Sequence, residues 1–206
     1  MKRYLRIFFL ATAFLLVFEA RSGENPLNLV SHKYIHDFLL RNIDGNYVAM
    51  SDYPSAKGFI IVFTCNHCPF AKLYPERLNS LNEKYKSQGV PLLAINSIDS
   101  LAFEEETLSE MKLKSLQNKF SFPYLQDPIQ SVAKDFGAQK TPHAFVLWKE
   151  KGEWVIRYQG AIDDNGAEPE NVRHPFVEEA VDALLNDQTV KNPETNSVGC
   201  AIQFRK

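Results

Sequence analysis

The sequence predicts one α/β domain: a central mixed sheet flanked by helices, with an N-terminal hairpin and an inserted strand–helix segment. Three observations carry this. Two unbroken apolar runs, residues 59–63 and 90–95, read as strands buried on both faces. The stretch between them, 71–86, places Leu73, Leu78, Leu81 and Tyr85 at helical spacing, so strand, helix and strand form a βαβ unit. After Thr141-Pro142, two more strand-like runs meet across Lys151-Gly152 as a hairpin.

Composition agrees with one soluble domain. A chain of 206 residues can bury a sizeable core but hardly two. With 45% hydrophobic and 23% charged residues, it is neither disordered, collagen-like nor a multi-span membrane protein. A net charge of −2 leaves no basic surface for nucleic acid, which is not an expected partner. Three cysteines are too few for a disulfide-dense scaffold.

The elements follow in order. Lys2, Arg3 and Arg6 precede an apolar run over 7–18 and the small residues Ala20 and Ser22. This is the layout of a secretory signal, so residues 1–22 are expected to be removed. The run is short for a membrane span, and a membrane association is expected only if the signal stays uncleaved. The protein is then exported, periplasmic or otherwise extracytoplasmic, where disulfides persist. Residues 23–33 form a lead, 34–190 the domain and 191–206 a tail. Within the domain, 37–41 and 43–48 read as two strands around the Asp44-Gly45 turn. Residues 104–120 read as a charged, solvated helix. Residues 131–136 read as a short helix ended by Gly137, and 175–185 as an amphipathic helix with proline at its start.

The chemistry concentrates in Thr64-Cys65-Asn66-His67-Cys68-Pro69, between the first buried strand and the long helix. Two cysteines three apart at a helix start lie on one face, ~5 Å apart and within disulfide reach. Cys65, at the helix N-terminus, is expected to be the thiolate nucleophile, and Cys68, a turn deeper, to resolve. Three other uses of the pair stand beside redox exchange. A structural disulfide here closes a loop too short to constrain much. Zinc wants four ligands. A Cu(I) carrier would use the thiols with a histidine. His67 beside Cys68 is expected to stabilise the thiolate and tune the couple.

On these residues the chain resembles the thioredoxin superfamily. Cys-x-x-Cys at a strand-to-helix turn is followed by Thr-Pro before a hairpin. The long interval between them leaves room for an insertion at about residues 98–130. These features, with the leading hairpin, are similar to ResA/TlpA-like oxidoreductases and the AhpC/TSA peroxiredoxin-like group. The segments TCNHCPF, KTPHAFVL, YQGAIDD and VGCAIQF resemble a redoxin subgroup, over residues 34–206. The resemblance implies a thioredoxin-like fold and a cis Pro142 facing the cysteines. It also implies a substrate face at Thr141 and Pro142 and a redox-active Cys65–Cys68 disulfide. The implied activity is thiol–disulfide exchange with protein or small-molecule thiols and disulfides, served by an upstream electron donor or acceptor. No cofactor and no metal are expected. Peroxiredoxins carry Pro-x-x-x-Thr-x-x-Cys at this turn, and here Thr64 directly precedes Cys65, so an antioxidant thiol peroxidase is the alternative.

Four side features remain. Cys200 in the tail is either a buried apolar cysteine or a third redox thiol brought to the active face. His143 reads as structural. His32 and His36 have metal spacing but no third ligand nearby, and Asp163-Asp164 reads as a polar loop.

Overall fold

The structure is a computed structural model that describes residues 33–205. The signal, most of the lead and His32 lie outside the described residues. Among the described residues, no helix is long and apolar enough to cross a membrane.

Eight strands form one curved mixed sheet. In chain order they are β1 (Tyr34–Ile35), β2 (Leu39–Asn42), β3 (Tyr47–Ala49), β4 (Gly58–Phe63), β5 (Leu92–Asn96), β6 (Tyr124–Gln126), β8 (His143–Glu150) and β9 (Glu153–Gly160). Across the sheet the order is β1-β9-β8-β4-β5-β6-β2-β3. β4, β5 and β6 run parallel at the centre, and β8 pairs antiparallel with β4. Two short strands, β7 (Lys140–Thr141) and β10 (Cys200–Ala201), form a separate ladder. The expected hairpins are present. β2 and β3 turn at Asp44-Gly45, and β8 and β9 turn at Lys151-Gly152, with Gly45, Lys151 and Gly152 in the left-handed region. β1 carried no signal because it is two residues long.

The apolar runs are continuous because the sheet is covered on both faces. Phe59, Ile61 and Phe63 of β4 pack with α3 (Ser131–Phe136) through Val132, Ala133 and Phe136. Ile60 and Val62 point the other way, toward α1 (Pro75–Lys86) and α4 (Phe176–Leu185). That layer holds Leu78, Leu81, Tyr85, Val177 and Val181.

Two expectations need correction. The helix over 71–86 is broken: a 3-10 turn at Ala71–Leu73 precedes α1, which begins with Pro75 at its first position. The charged stretch 104–120 is not one solvated helix. It is a 3-10 turn, Glu104–Glu106, then α2 (Leu108–Gln117) behind the Thr107 N-cap. Glu106 and Met111 are fully buried.

Candidate active site

β4 delivers the Cys65–Cys68 loop at its C-terminal end, opposite the start of β8. The Thr141–Pro142 bond is cis, and Thr141 sits against both cysteines. Cys65 Sγ lies 3.1 Å from Thr141 Oγ1, and the Cys68 thiol donates to the Thr141 carbonyl at 3.1 Å. Cys65, Cys68, Thr141 and Pro142, expected together from the sequence, are thus brought together. All three cysteines are free thiols, and Cys65 and Cys68 are both 0% exposed.

The grounds for a Cys65 thiolate change. α1 begins ten residues beyond Cys65, so Cys65 has no helix N-terminus beneath it. Burial pushes the Cys65 thiol up to about 12. The Thr141 hydroxyl and the Cys68 N–H oppose that rise, while the Glu106 carboxylate adds to it. Burial also disfavours a Cys68 thiolate. There it is outweighed by hydrogen bonds from the Cys200 thiol, the Ala71 N–H, the Cys200 N–H and the Thr141 hydroxyl, which hold Cys68 below its ordinary value. In this conformation the thiolate is favoured at Cys68.

The residue that organises the loop is Glu106, which no sequence signal marked, because three consecutive glutamates look solvated. Its carboxylate accepts from the Asn66 N–H at 2.9 and 3.0 Å, the His67 N–H at 2.8 Å and Asn96 Nδ2 at 2.6 Å. Its fourth partner is His67 Nδ1 at 2.6 Å. The His67 ring stacks on Phe103, 4.5 Å between centroids and 2° from parallel. His67, expected to tune the thiolate, is bonded to Glu106, the charged group that acts on Cys65. Lys114, also unmarked, donates to the Cys65 carbonyl at 2.8 Å, and burial holds its ammonium below the ordinary value. Cys65, His67 and Glu106 offer ligand atoms within 4.8 Å of one another, a geometry open to one soft metal ion.

The side features also find places. His143 is half-buried, packs against Phe145 with tilted rings and accepts from the Gln139 N–H at 3.4 Å; burial and then Lys140 push its pKa down to about 4. His36 is exposed. Asp163 is buried, paired with Arg77 at 2.6 Å and bonded to Tyr74 at 3.1 Å, so it ties a loop to α1 rather than sitting free in solvent.

Comparison with known proteins places this geometry. The chain is 38% identical over 126 residues to "Probable glutathione peroxidase 2" of Arabidopsis thaliana, covering 61% of this chain and 72% of that one. It is 24% identical over 151 residues to the thiol-disulfide oxidoreductase ResA of Halalkalibacterium halodurans, covering 72% and 74%. The crystal structure of a hypothetical protein from Sinorhizobium meliloti 1021 superposes with a TM-score of 0.77 at 33% identity, over 84% of this chain and 94% of that one. The fold is thioredoxin-like, residues 32–165 match the AhpC/TSA family, and the chain belongs to that family of redoxins.

Proposed function

We propose that the protein is an exported thiol–disulfide oxidoreductase working through Cys65 and Cys68. The observation that carries this is the convergence of both sulfurs on one residue, Thr141, beside Pro142. A partner disulfide bound along Thr141 meets the pair directly. Cys65 attacks it and Cys68 releases the mixed disulfide, leaving a Cys65–Cys68 disulfide and two partner thiols. Cys65 keeps its own donors, the Thr141 hydroxyl and the Cys68 N–H, whatever the tail does. Cys68 owes two of its donors to Cys200. With the tail away Cys68 loses these donors, and the preference for its thiolate weakens. No cofactor enters these steps; electrons come from an upstream thiol donor. Export rests on the basic and apolar start of the chain, and the mass of the secreted protein tests it: loss of residues 1–22 is expected.

The match to a glutathione peroxidase favours one second reading, reduction of a peroxide by the same thiols. The two part on rates. With dithiothreitol as electron source, the protein should reduce a protein disulfide faster than hydrogen peroxide. Cys65→Ser and Cys68→Ser should each remove that turnover. Faster peroxide turnover would establish the peroxidase instead. Tight binding of one Cu(I) per reduced chain, with neither turnover, would establish metal delivery.

A further inference from the structure

The C-terminal tail lies on the face where a partner would bind. β10 pairs antiparallel with β7, with Cys200 opposite Thr141 and Ala201 opposite Lys140. The approach is close. A side-chain carbon on Gly199 would meet the Thr141 carbonyl oxygen at 2.2 Å and its carbon at 2.6 Å, so only glycine lets the tail sit here. The tail is held along its length. Lys140 Nζ donates to the Ser197 carbonyl at 3.1 Å, and the Ile202 N–H donates to the Gln139 carbonyl at 2.8 Å. Gln130 bonds both the Gln203 carbonyl and the Arg205 N–H at 2.8 Å, and Arg205 pairs with Asp99. Ile202 is buried in the core cluster that contains Cys65 and Cys68.

We propose that the tail is a tethered, substrate-like strand, and that Cys200 is a third redox thiol which exchanges with Cys68. This rests on the reading of Cys65–Cys68 as the redox pair. The second observation is where Cys200 lies: it pairs with Thr141, the residue both sulfurs contact, and packs against the core cluster that holds Cys65 and Cys68. Cys200 is itself partly exposed, at a cleft lined by His67, Phe103 and Gln203. A reductant can reach it there without entering the closed site.

The step balances within the chain. In oxidised protein the Cys200 thiolate attacks Sγ of Cys68. The Cys68–Cys200 bond forms and the Cys65–Cys68 bond breaks. Cys65 leaves as thiolate and takes up the proton that Cys200 gave up, so no electrons are gained or lost. The disulfide moves from the buried pair to the open cleft, and Cys65 is freed.

The Cys65→Ser variant isolates the step. Treated with one equivalent of dithiobis(nitrobenzoate), it should release two thionitrobenzoate anions per chain. Peptide mapping should find a Cys68–Cys200 disulfide. Cys65→Ser/Gly199→Val, whose tail cannot seat, should close that bond about tenfold or more slowly and retain the label. Docking presents Cys200 at more than the ~mM effective concentration of a loose tether. Wild type and Cys200→Ser oxidised in parallel separate the two readings. If wild type forms Cys65–Cys68 but Cys65→Ser retains its label and forms no Cys68–Cys200 bond, the third-thiol role is wrong and the pair stands. If Cys200→Ser, in which the disulfide cannot move on, forms no Cys65–Cys68 bond, the pair itself is wrong. Equal closure rates with and without Gly199→Val would show that the docked strand plays no part.

Discussion

Removing Glu106 tests how the cysteine loop is held. Glu106 is 0% exposed and binds four donors, two of which belong to buried residues, Asn66 and Asn96. In Glu106→Ala both lose their partner without access to water. Each orphaned donor costs about 1–3 kcal/mol, toward the upper end because the acceptor is a carboxylate. Relief of a buried charge offsets part of this. The net expectation is a loss of ~4 kcal/mol in urea unfolding, enough to threaten a domain of ordinary stability. Glu106→Gln keeps one acceptor oxygen and should lose ~1–2 kcal/mol. The same substitution removes the charge that adds to the rise in the Cys65 pKa. Alkylation of Cys65 with iodoacetamide, followed against pH, should then show titration below that of wild type. An alanine variant within ~1 kcal/mol of wild type would refute the account of the loop. An unmoved Cys65 titration in a folded Glu106→Gln protein would refute the electrostatic half.

Three further outcomes follow from particular contacts. His143 is held neutral, with its pKa pushed down to about 4. The unfolded chain therefore binds the extra proton between pH 4 and 6.5, and stability rises with pH across that window and levels above it. Unfolding free energies of wild type and His143→Gln should diverge upward across it, by at most ~3 kcal/mol; parallel curves would contradict the burial. In Gly58→Ala the new carbon would meet Trp148 at 2.4 Å and the Leu147 carbonyl at 2.5 Å. It should cost about 1–3 kcal/mol in the same unfolding assay, and a neutral result would contradict the β4–β8 packing. His67→Ala takes the imidazole from Glu106, leaving the carboxylate to oppose the Cys65 thiolate unshielded. The reduction potential of the pair, read by equilibration with glutathione, should fall, and an unchanged or higher value would remove His67 from the tuning pair.

The parts legible in the sequence were those with a repeating or local cause. Residues 59–63 and 90–95 announced β4 and β5 because strands covered on both faces cannot alternate. Gly137 and Lys151-Gly152 marked a helix end and a hairpin because those positions take left-handed backbone. The cysteine spacing and Thr141-Pro142 marked the site, and the structure joins them. What stayed hidden depended on distant partners. Glu106 is indistinguishable in sequence from Glu104 and Glu105, and only the Asn66–His67 loop, some 40 residues away, makes it a buried acceptor. Lys114 looked like a solvated helix charge until the Cys65 carbonyl met it. Tyr74 and Pro75 split a continuous apolar periodicity, and with it went the helix N-terminus expected under Cys65.

The central claim, that Cys65 attacks and Cys68 releases, is tested most directly by trapping. Each single serine variant is reduced and mixed with a disulfide-bearing protein, and the products are run on a non-reducing gel. Cys68→Ser should attack once through Cys65 and stall as a covalent complex that dithiothreitol dissolves. Cys65→Ser should trap no protein partner, although its Cys68 and Cys200 thiols still react with small disulfides. Complexes in Cys65→Ser and none in Cys68→Ser would reverse the roles, in line with the Cys68 thiolate of the docked conformation. No complex in either folded variant would contradict disulfide exchange altogether.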